Sequence, residues 1–436
     1  MKSAAVRAAS GISGGLSVPG DKSITHRGVI LGALAEGETI VHGYLPSDDC
    51  LRTVAAFRAM GVQIDEDSGT LRVAGRGLRG LREPEDVLDL GNSGTSIRLL
   101  AGLLSGQPFF SVMTGDASLR SRPMRRVIDP LRQMGANISG CSGGERAPLA
   151  IQGGPLKGIR YALPVASAQV KSALLLAGLY AEGETDLSEP LPSRDHTERL
   201  FRHFGLPLRR DGTRLRIGRL DRFEGKEIRV PGDFSSAAFF IVAATLIPDS
   251  EVRIVGVGVN PTRTGLLDVL KEMGARIELE ASREEAGEPV ADLVVRSSSL
   301  KGTTVRGEVI PRLIDEFPIL CVAAALAKGE TVIQDAGELR VKESDRIDAM
   351  VEALSAMGAG IQALPDGVVI QGGALRGGVC ESRRDHRVAM AMIVAGLVAR
   401  GETRVDDVEC IDTSFPGFVP LLRGIAGEET IRLTGC

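Results

Sequence analysis

The sequence predicts an α/β protein assembled from six copies of one helix-and-strand unit, grouped three and three. Three observations carry that prediction. A polar turn running into an almost wholly apolar helix stands at residues 19–39, PGDKSITHRGVILGALAEGET, and returns five times. An amphipathic helix of constant pattern recurs between those returns. Two near-duplicate turns, PGDKS at 19–23 and PGDFS at 231–235, mark where the two halves meet.

The returns of the apolar helix begin at Gly91 (GNSGTSIRLLAGLLSGQPF), Ala166 (ASAQVKSALLLAGLYAEGET) and Phe234 (FSSAAFFIVAATLIPDSEV), then at Ile314 (IDEFPILCVAAALAKGET) and Asp385 (DHRVAMAMIVAGLVARGET). A helix that is apolar all round has to be buried, so its first turn is where it meets a ligand. That turn carries free N–H groups and partial positive charge, which favour anions. Six such starts bearing Lys, Ser, Asn, Gln, Asp, His and Arg point to a site for small anionic substrates.

The amphipathic copies begin at Ser47, Ser121, Ser193, Asn260 and Glu343, with a degenerate sixth, TSFPGFVPLLRGIAG, at Thr413. Met124, Val127, Ile128, Leu131 and Met134 form an i, i+3, i+4, i+7 stripe, as do Ile347, Met350, Val351, Leu354 and Met357. One face of each helix therefore lies on a core. Gly61, Gly135, Gly274 and Gly358 stand just past four of these helices, in the position that wants positive φ. Strand pairs follow, including residues 71–74, 149–152, 293–296 and 368–371, and end in a GL(R/K)G-like turn. The unit of roughly 70 residues is longer than the about 20–50 of solenoid repeats, so copies should pack in groups as domains. Residues 221–227, DRFEGKE, suit a crossover, and two halves joined at two points would make a hinged clamp around a cleft.

Composition bounds the function. A chain of 436 residues is long enough for two or more domains with real cores. At 43% apolar and 25% charged it is an ordinary globular sequence, and a net charge of −4 argues against a basic nucleic-acid footprint. Only nine of the 52 basic residues are Lys. Arg grips phosphate and carboxylate bidentately, although codon usage explains most of such an excess. The six cysteines (Cys50, Cys141, Cys321, Cys380, Cys410, Cys436) lack CxxC spacing and read as reduced thiols, neither a zinc site nor a disulfide framework. Residues 1–10 are basic and small, faintly transit-like but better read as a short surface strand. No signal-peptide core and no run near the ~18 apolar residues of a membrane span is visible, so the cytoplasm is the expected compartment. No HExxH, EF-hand loop, paired Cys/His or P-loop occurs, so no metal and no cofactor is expected.

The polar helix starts carry the candidate chemistry, each beside a plainer reading. Lys22, Ser23 and Arg27 put a cation, a hydroxyl and a guanidinium within a turn and a half. Gly91 to Thr95 is a Gly-bearing start whose N–H groups could face a phosphate. Arg120 and Arg122 precede Pro123, which suits a helix's first turn, or they form a solvated basic end. Ser167, Gln169 and Lys171 open a helix, where Ser167 could equally be a plain N-cap. Ser193-Arg194-Asp195 reads as a capping sequence with an Arg reaching outward. RVKESDR at 340–346 holds Lys342, Glu343 and Arg346, a charge pattern that a surface helix with i, i+3 ion pairs would share. Asp315-Glu316 could be a dipole partner of its helix, and Asp385-His386-Arg387 opens another apolar helix. Arg and Lys for charge plus two separate carboxylates, Asp315 and Glu343, can clamp anions and move protons without a cofactor.

Together these segments resemble the 5-enolpyruvylshikimate-3-phosphate (EPSP) synthase family, the 3-phosphoshikimate 1-carboxyvinyltransferases of the shikimate pathway. PGDKSITHR, GNSGTSIR, GDASLRSRPM, ASAQVKSALLLAGL, PSRDHTERL, PGDFSSAAF, NPTRTG, IDEFPIL, ELRVKESDR, DHRVAMA and TSFPGF carry the likeness along nearly the whole chain. ASAQVKS and SRDHTE look like the bacterial class II subgroup. The resemblance implies the enolpyruvyl transferase fold: two similar domains, each of three βαβαββ units, joined by a two-strand hinge. One domain would be residues 1–20 plus 233–436, the other 21–232. It implies transfer of the enolpyruvyl group of phosphoenolpyruvate to the 5-hydroxyl of shikimate 3-phosphate, with release of phosphate, by addition and elimination through a tetrahedral ketal.

Carried over position by position, Lys22, Ser23, Arg27, Ser167, Ala168, Gln169, Arg194, Asp315 and Lys342 would hold shikimate 3-phosphate. Lys22, Gly94, Arg122, Gln169, Glu343, Arg346, His386 and Arg387 would hold phosphoenolpyruvate. Asp315, Glu343 and Lys22 would be catalytic, with Asp315 taking the hydroxyl proton and Glu343 protonating the methylene and later removing a proton. A monomer is the family expectation. Two departures stand out. Thr413-Ser414 lies where many members carry a Lys, and Ala168 where others have a second Ser, a loss that Arg194 would offset. Gly94, where a glyphosate-tolerant relative has Ala, leaves room for that inhibitor. A rival, the UDP-N-acetylglucosamine enolpyruvyl transferase, typically uses a loop Cys, and residues 111–122 contain none. A catalytically silent anion-binding protein would not need Lys22, Asp315, Glu343, Arg346 and Arg387 together.

Overall fold

The computed structural model describes residues 2–435. Among them, the helices of eight residues or more alternate in kind along the chain. They are α1 (Lys22–Leu34), α2 (Asp48–Ala59), α3 (Gly94–Ser105), α4 (Arg125–Gln133), α5 (Ala168–Gly178), α6 (His196–His203), α7 (Phe234–Leu246), α8 (Gly265–Glu272), α9 (Phe317–Ala325), α10 (Arg346–Ala356), α11 (His386–Gly396) and α12 (Phe418–Ala426). The odd-numbered helices are the apolar ones and are buried along nearly their whole length; in α1 every residue from Ile24 to Leu34 is buried. The even-numbered ones bury one stripe: Val127, Ile128 and Leu131 of α4, and Phe418, Val419, Leu422 and Ala426 of the sixth copy, α12. Gly61, Gly135, Gly274 and Gly358 have φ between 81° and 103°, as their place past a helix end requires. Among the described residues no helix is long and apolar enough to cross a membrane.

Among the described residues, six four-stranded sheets share one strand order. In the sheet of Leu88–Asp89, Phe110–Thr114, Arg146–Gln152 and Asn137–Gly140, the first strand enters α3 and lies parallel to the strand that leaves it. The other two add antiparallel, after α4. Two sheets exchange their entering strands. Ser13–Ser17 leads into α1 yet pairs with Glu251–Gly258 after α7, while Glu227–Arg229 leads into α7 yet pairs with Glu36–His42 after α1. Those two strands are the links of the expected hinge.

The chain divides into two compact units. One is Met1–Pro19, Pro231–Arg283 and Pro289–Cys436; the other is Gly20–Val230 with Glu284–Glu288. The passages fall at Pro19 and at Val230, within or beside the PGD turns, whereas DRFEGKE pairs back onto Glu36–His42 through Glu36 N to Phe223 O at 2.7 Å. Each unit has its own apolar core. In the Gly20–Val230 unit α3 and α5 pack closely at Gly102, where a Cβ would sit 2.1 Å from Ala173 O.

Three local expectations need correction. The strand Ser3–Val6 is no surface strand: it lies between Thr403–Asp406 and Ile431–Thr434, with Ala4 and Val6 fully buried. Its partners come from the far end of the chain, which local composition does not reveal. Pro123 is not in the first turn of α4, which starts at Arg125 after Met124; Arg122 instead ends a short helix, Ala117–Ser121. The extended backbone of Arg122 (φ −75°, ψ 142°) is what a following proline imposes. Asp195 precedes α6 but makes no side-chain cap, because its carboxylate pairs with Arg199 at 2.8 Å. Cys436 lies outside the described residues.

Candidate active site

In the Gly20–Val230 unit, Asp21 caps α1 by accepting from Ile24 N, and that fixes the first turn bearing Lys22 and Ser23. Lys22 Nζ sits 2.9 Å from Asp49 Oδ2 on α2. Arg27, one turn on, is buried and ties three elements together. It donates to Ser23 O on its own helix, to Ser172 Oγ on α5 at 2.8 Å and to Thr197 Oγ1 on α6 at 2.6 Å. Burial weakens its hold on its proton, to about 10, against the pull of Glu198 and Asp21. It remains a cation at neutral pH.

Gly94, Arg122 and Gln169 come together through a residue that the helix pattern alone does not single out, Arg98. Its Nη1 donates to Gln169 Oε1 at 2.8 Å and to Gly94 O at 3.3 Å, and its Nη2 to Pro123 O at 3.3 Å. A Cβ on Gly94 would stand 2.9 Å from both Arg98 Nη1 and Arg122 Nη1. Arg122 donates to Asn92 Oδ1 and Ser118 Oγ, and Gln169 Nε2 to Thr95 Oγ1 at 3.1 Å. These acceptors are uncharged, and a phosphate or carboxylate would be a stronger partner than any of them. Ser167 does cap α5, accepting from Val170 N at 3.4 Å, and Ala168 and Gln169 are the first helical residues. Arg194 lies half-buried in the loop before α6. Lys171 is fully buried between Glu189 and Glu198, at 2.9 and 2.7 Å.

In the other unit the candidates gather on Arg346, the first residue of α10. Its Nη1 is 3.4 Å from Asp315 Oδ1, its Nη2 is 2.8 Å from Glu343 Oε2, and its Nε donates to Asp385 Oδ2 at 2.8 Å. The i, i+3 pair read from RVKESDR is thus present, but with Arg346 buried and Glu343 half-buried just before the helix rather than on a surface helix. Burial alone would lower the pKa of Arg346; Asp385, Glu343 and Asp315 outweigh it and raise it. Burial would likewise raise Asp385, and Arg346 reverses that, leaving it below the usual carboxylate range. Asp385 also caps α11 through Arg387 N and Val388 N. Lys342 Nζ lies 3.5 Å from Asp315 Oδ1, and Arg387 Nη1 donates to Asp315 O at 3.2 Å. His386 is buried at the start of α11 beside them. Neighbouring Glu316 turns away to accept from Ser235 Oγ. Thr413 ends a 3-10 segment and Ser414 is buried.

Sequence pattern alone misses Arg98, Asp49 and the pairing role of Asp385. For the last two the available signal is a carboxylate at a helix start, next to the predicted cations.

Paired α/β units, each with buried apolar helices whose polar starts hold cations and carboxylates, constitute the enolpyruvyl transferase fold. The family model for EPSP synthase (3-phosphoshikimate 1-carboxyvinyltransferase) matches residues 6–422. A 3-phosphoshikimate 1-carboxyvinyltransferase of Geobacter metallireducens is 59% identical over 431 residues, covering 98% of this chain and 100% of the relative. One from Desulforudis audaxviator is 57% identical over 422 residues, covering 96% and 98%. The EPSP synthase structure from Acinetobacter baumannii superposes with a TM-score of 0.89 at 45% identity, covering 100% of both chains. The chain belongs to the EPSP synthase family. It is an enzyme with that family's activity, 3-phosphoshikimate 1-carboxyvinyl transfer in the shikimate pathway.

Proposed function

We propose that Lys22, Ser23, Arg27, Ser167, Ala168, Gln169, Arg194, Asp315 and Lys342 bind shikimate 3-phosphate, and that Lys22, Gly94, Arg122, Gln169, Glu343, Arg346, His386 and Arg387 bind phosphoenolpyruvate. Asp315 takes the proton of the 5-hydroxyl as its oxygen adds to C2 of phosphoenolpyruvate. Glu343 delivers a proton to the methylene carbon, giving a methyl-bearing tetrahedral ketal. Glu343 then removes a proton from that methyl group as phosphate leaves, which restores the double bond. The Lys and Arg side chains offset the repulsion between two multiply charged substrates and stabilise charge in the ketal with preorganised donors.

The observation that carries this reading is the shared guanidinium. Arg346 holds Asp315 at 3.4 Å and Glu343 at 2.8 Å, so the two proposed proton carriers are set around one fixed cation. The two compact units act as its two domains, and the enzyme works as a cytoplasmic monomer inhibited by glyphosate. Phosphate release from the purified chain tests the reading: release with shikimate 3-phosphate and phosphoenolpyruvate, and none when UDP-N-acetylglucosamine replaces the shikimate ester. The reverse preference would overturn it. Turnover unchanged at millimolar glyphosate would overturn the inhibitor assignment alone.

A further inference from the structure

The triad of Lys171, Glu189 and Glu198 has no part in the chemistry proposed above, yet it is among the most deeply buried charge in the Gly20–Val230 unit. Side-chain exposures are 0% for Lys171 and 2% for each Glu. Buried ion groups rarely stabilise a fold more than apolar residues of the same volume would, so bulk stability is a poor account of it. Its connections suggest a better one. Lys171 Nζ also donates to Ser193 O at 3.3 Å, and Ser193 Oγ donates to the second oxygen of Glu189. The carbonyl and the hydroxyl of Ser193 are thereby tied to the triad, and the next residue is Arg194.

The same triad is flanked by the groups that hold Arg27. Ser172 follows Lys171 on α5 and Thr197 precedes Glu198 on α6. These two hydroxyls are 2.6 Å apart and both accept from Arg27. One buried polar block thus spans α1, α5, α6 and the loop before α6.

We infer that Lys171 and Ser193 are positioning residues, which set Arg194 for the phosphate group of shikimate 3-phosphate. The inference rests on the reading above that Arg194 binds that phosphate. It assigns specificity for the phosphorylated substrate to side chains that never touch it. Loss of the tether should weaken binding of that substrate more than of phosphoenolpyruvate, because Ser193 lies on the loop that carries Arg194, whereas Lys22 on α1 and Gln169 on α5, which serve both substrates, keep their own contacts with Asp49, Arg98 and Thr95.

The test is steady-state kinetics on the full chain, with KM measured separately for each substrate. Ser193→Ala removes one hydroxyl and leaves every charge in place. It should raise KM for shikimate 3-phosphate by about 3- to 10-fold, the scale of one ordinary hydrogen bond passed on through the position of Arg194. KM for phosphoenolpyruvate and kcat should stay near wild type, with a small drop in the melting temperature from the Glu189 oxygen left without its hydroxyl partner. Lys171→Met should give a larger rise in the same KM together with a lower melting temperature. In an Arg194→Ala background, Ser193→Ala should add nothing. Wild-type KM values in Ser193→Ala, equal rises for both substrates, or an undiminished effect in the Arg194→Ala background would each overturn the positioning role. If Arg194→Ala itself leaves KM for shikimate 3-phosphate unchanged, it is the assignment of Arg194 that fails.

Discussion

Arg346 Nε and Asp385 Oδ2 lie 2.8 Å apart with side chains 1% and 0% exposed, the most deeply buried pair at the candidate site. Asp385 also caps α11, so one carboxylate fixes both the helix start that presents Arg387 and the guanidinium that holds Asp315 and Glu343. Asp385→Asn should destabilise the fold at neutral pH by about 3–5 kcal/mol, the usual result of breaking a buried pair. Because the folded pKa of Asp385 is depressed, its contribution is complete above the unfolded value of ~3.9 and is lost as pH falls through the folded one. Urea unfolding of wild type and variant should therefore differ most near neutrality and converge in acid. A gap that widens as pH falls would contradict the assignment.

Asp315 and Glu343 contact different nitrogens of Arg346, which fits two proton carriers with separate tasks. Asp315→Ala and Glu343→Ala should each lower kcat by on the order of 10²-fold or more, the scale of acid–base help. Pre-steady-state proton exchange should separate them. Solvent deuterium should still enter the methyl group in a variant that keeps Glu343, and should not in Glu343→Ala. Wild-type turnover in either variant would remove it from the mechanism.

The architecture was legible because hydrophobic period follows directly from burial: the stripe Met124, Val127, Ile128, Leu131, Met134 is buried throughout. Turn chemistry was equally readable, as the positive φ at Gly61 and Gly358 illustrates. What the sequence could not convey is contact between distant segments. Arg98 looks like one polar residue on an apolar helix, and its role depends on Gln169, 71 residues away. Ser3–Val6 looks peripheral until Thr403–Asp406 and Ile431–Thr434 close on it. Lys171 reads equally well as a ligand or as part of the fold, and only the buried Glu189 and Glu198 decide.

Gly94 opens α3 with two guanidinium tips at the distance where a methyl group would intrude. Both tips end flexible side chains, so Gly94→Ala should fold normally while displacing the guanidinium groups of Arg98 and Arg122. On the assignment of Gly94 and Arg122 proposed above, phosphoenolpyruvate would then meet displaced donors, and an inhibitor filling the same space would meet the methyl group itself. KM for phosphoenolpyruvate should rise by about 3- to 30-fold, the scale of a partly lost charge-assisted hydrogen bond. The glyphosate concentration for half inhibition should rise further, and KM for shikimate 3-phosphate should change less, since only Gln169 of its proposed residues is bonded to a displaced guanidinium. Equal changes in both KM values would mean that Gly94 serves neither ligand in particular.

His26 ends a buried chain of hydroxyl groups that joins α1, α2 and α3. Its Nδ1 is hydrogen-bonded to Thr53 Oγ1 at 2.7 Å, Thr53 to Ser96 Oγ at 2.6 Å, and Ser96 to Ser93 Oγ at 2.7 Å, at the cap of α3. Burial, with Lys22 and Arg27 adding repulsion, lowers its pKa to about 3. The folded protein therefore keeps this imidazole neutral, while the unfolded chain takes up a proton near its ordinary value of about 6.5. Stability from this group is intact above about pH 6.5 and falls toward the folded value by about 1.4 kcal/mol per unit. His26→Asn abolishes the titration, so between about pH 7 and pH 5 wild type should lose about 2 kcal/mol more than the variant. Urea midpoints at the two pH values measure this directly. Parallel losses in both proteins would mean that His26 is not held neutral, and that the chain linking Lys22's helix to Gly94's helix is organised around a charged ring instead.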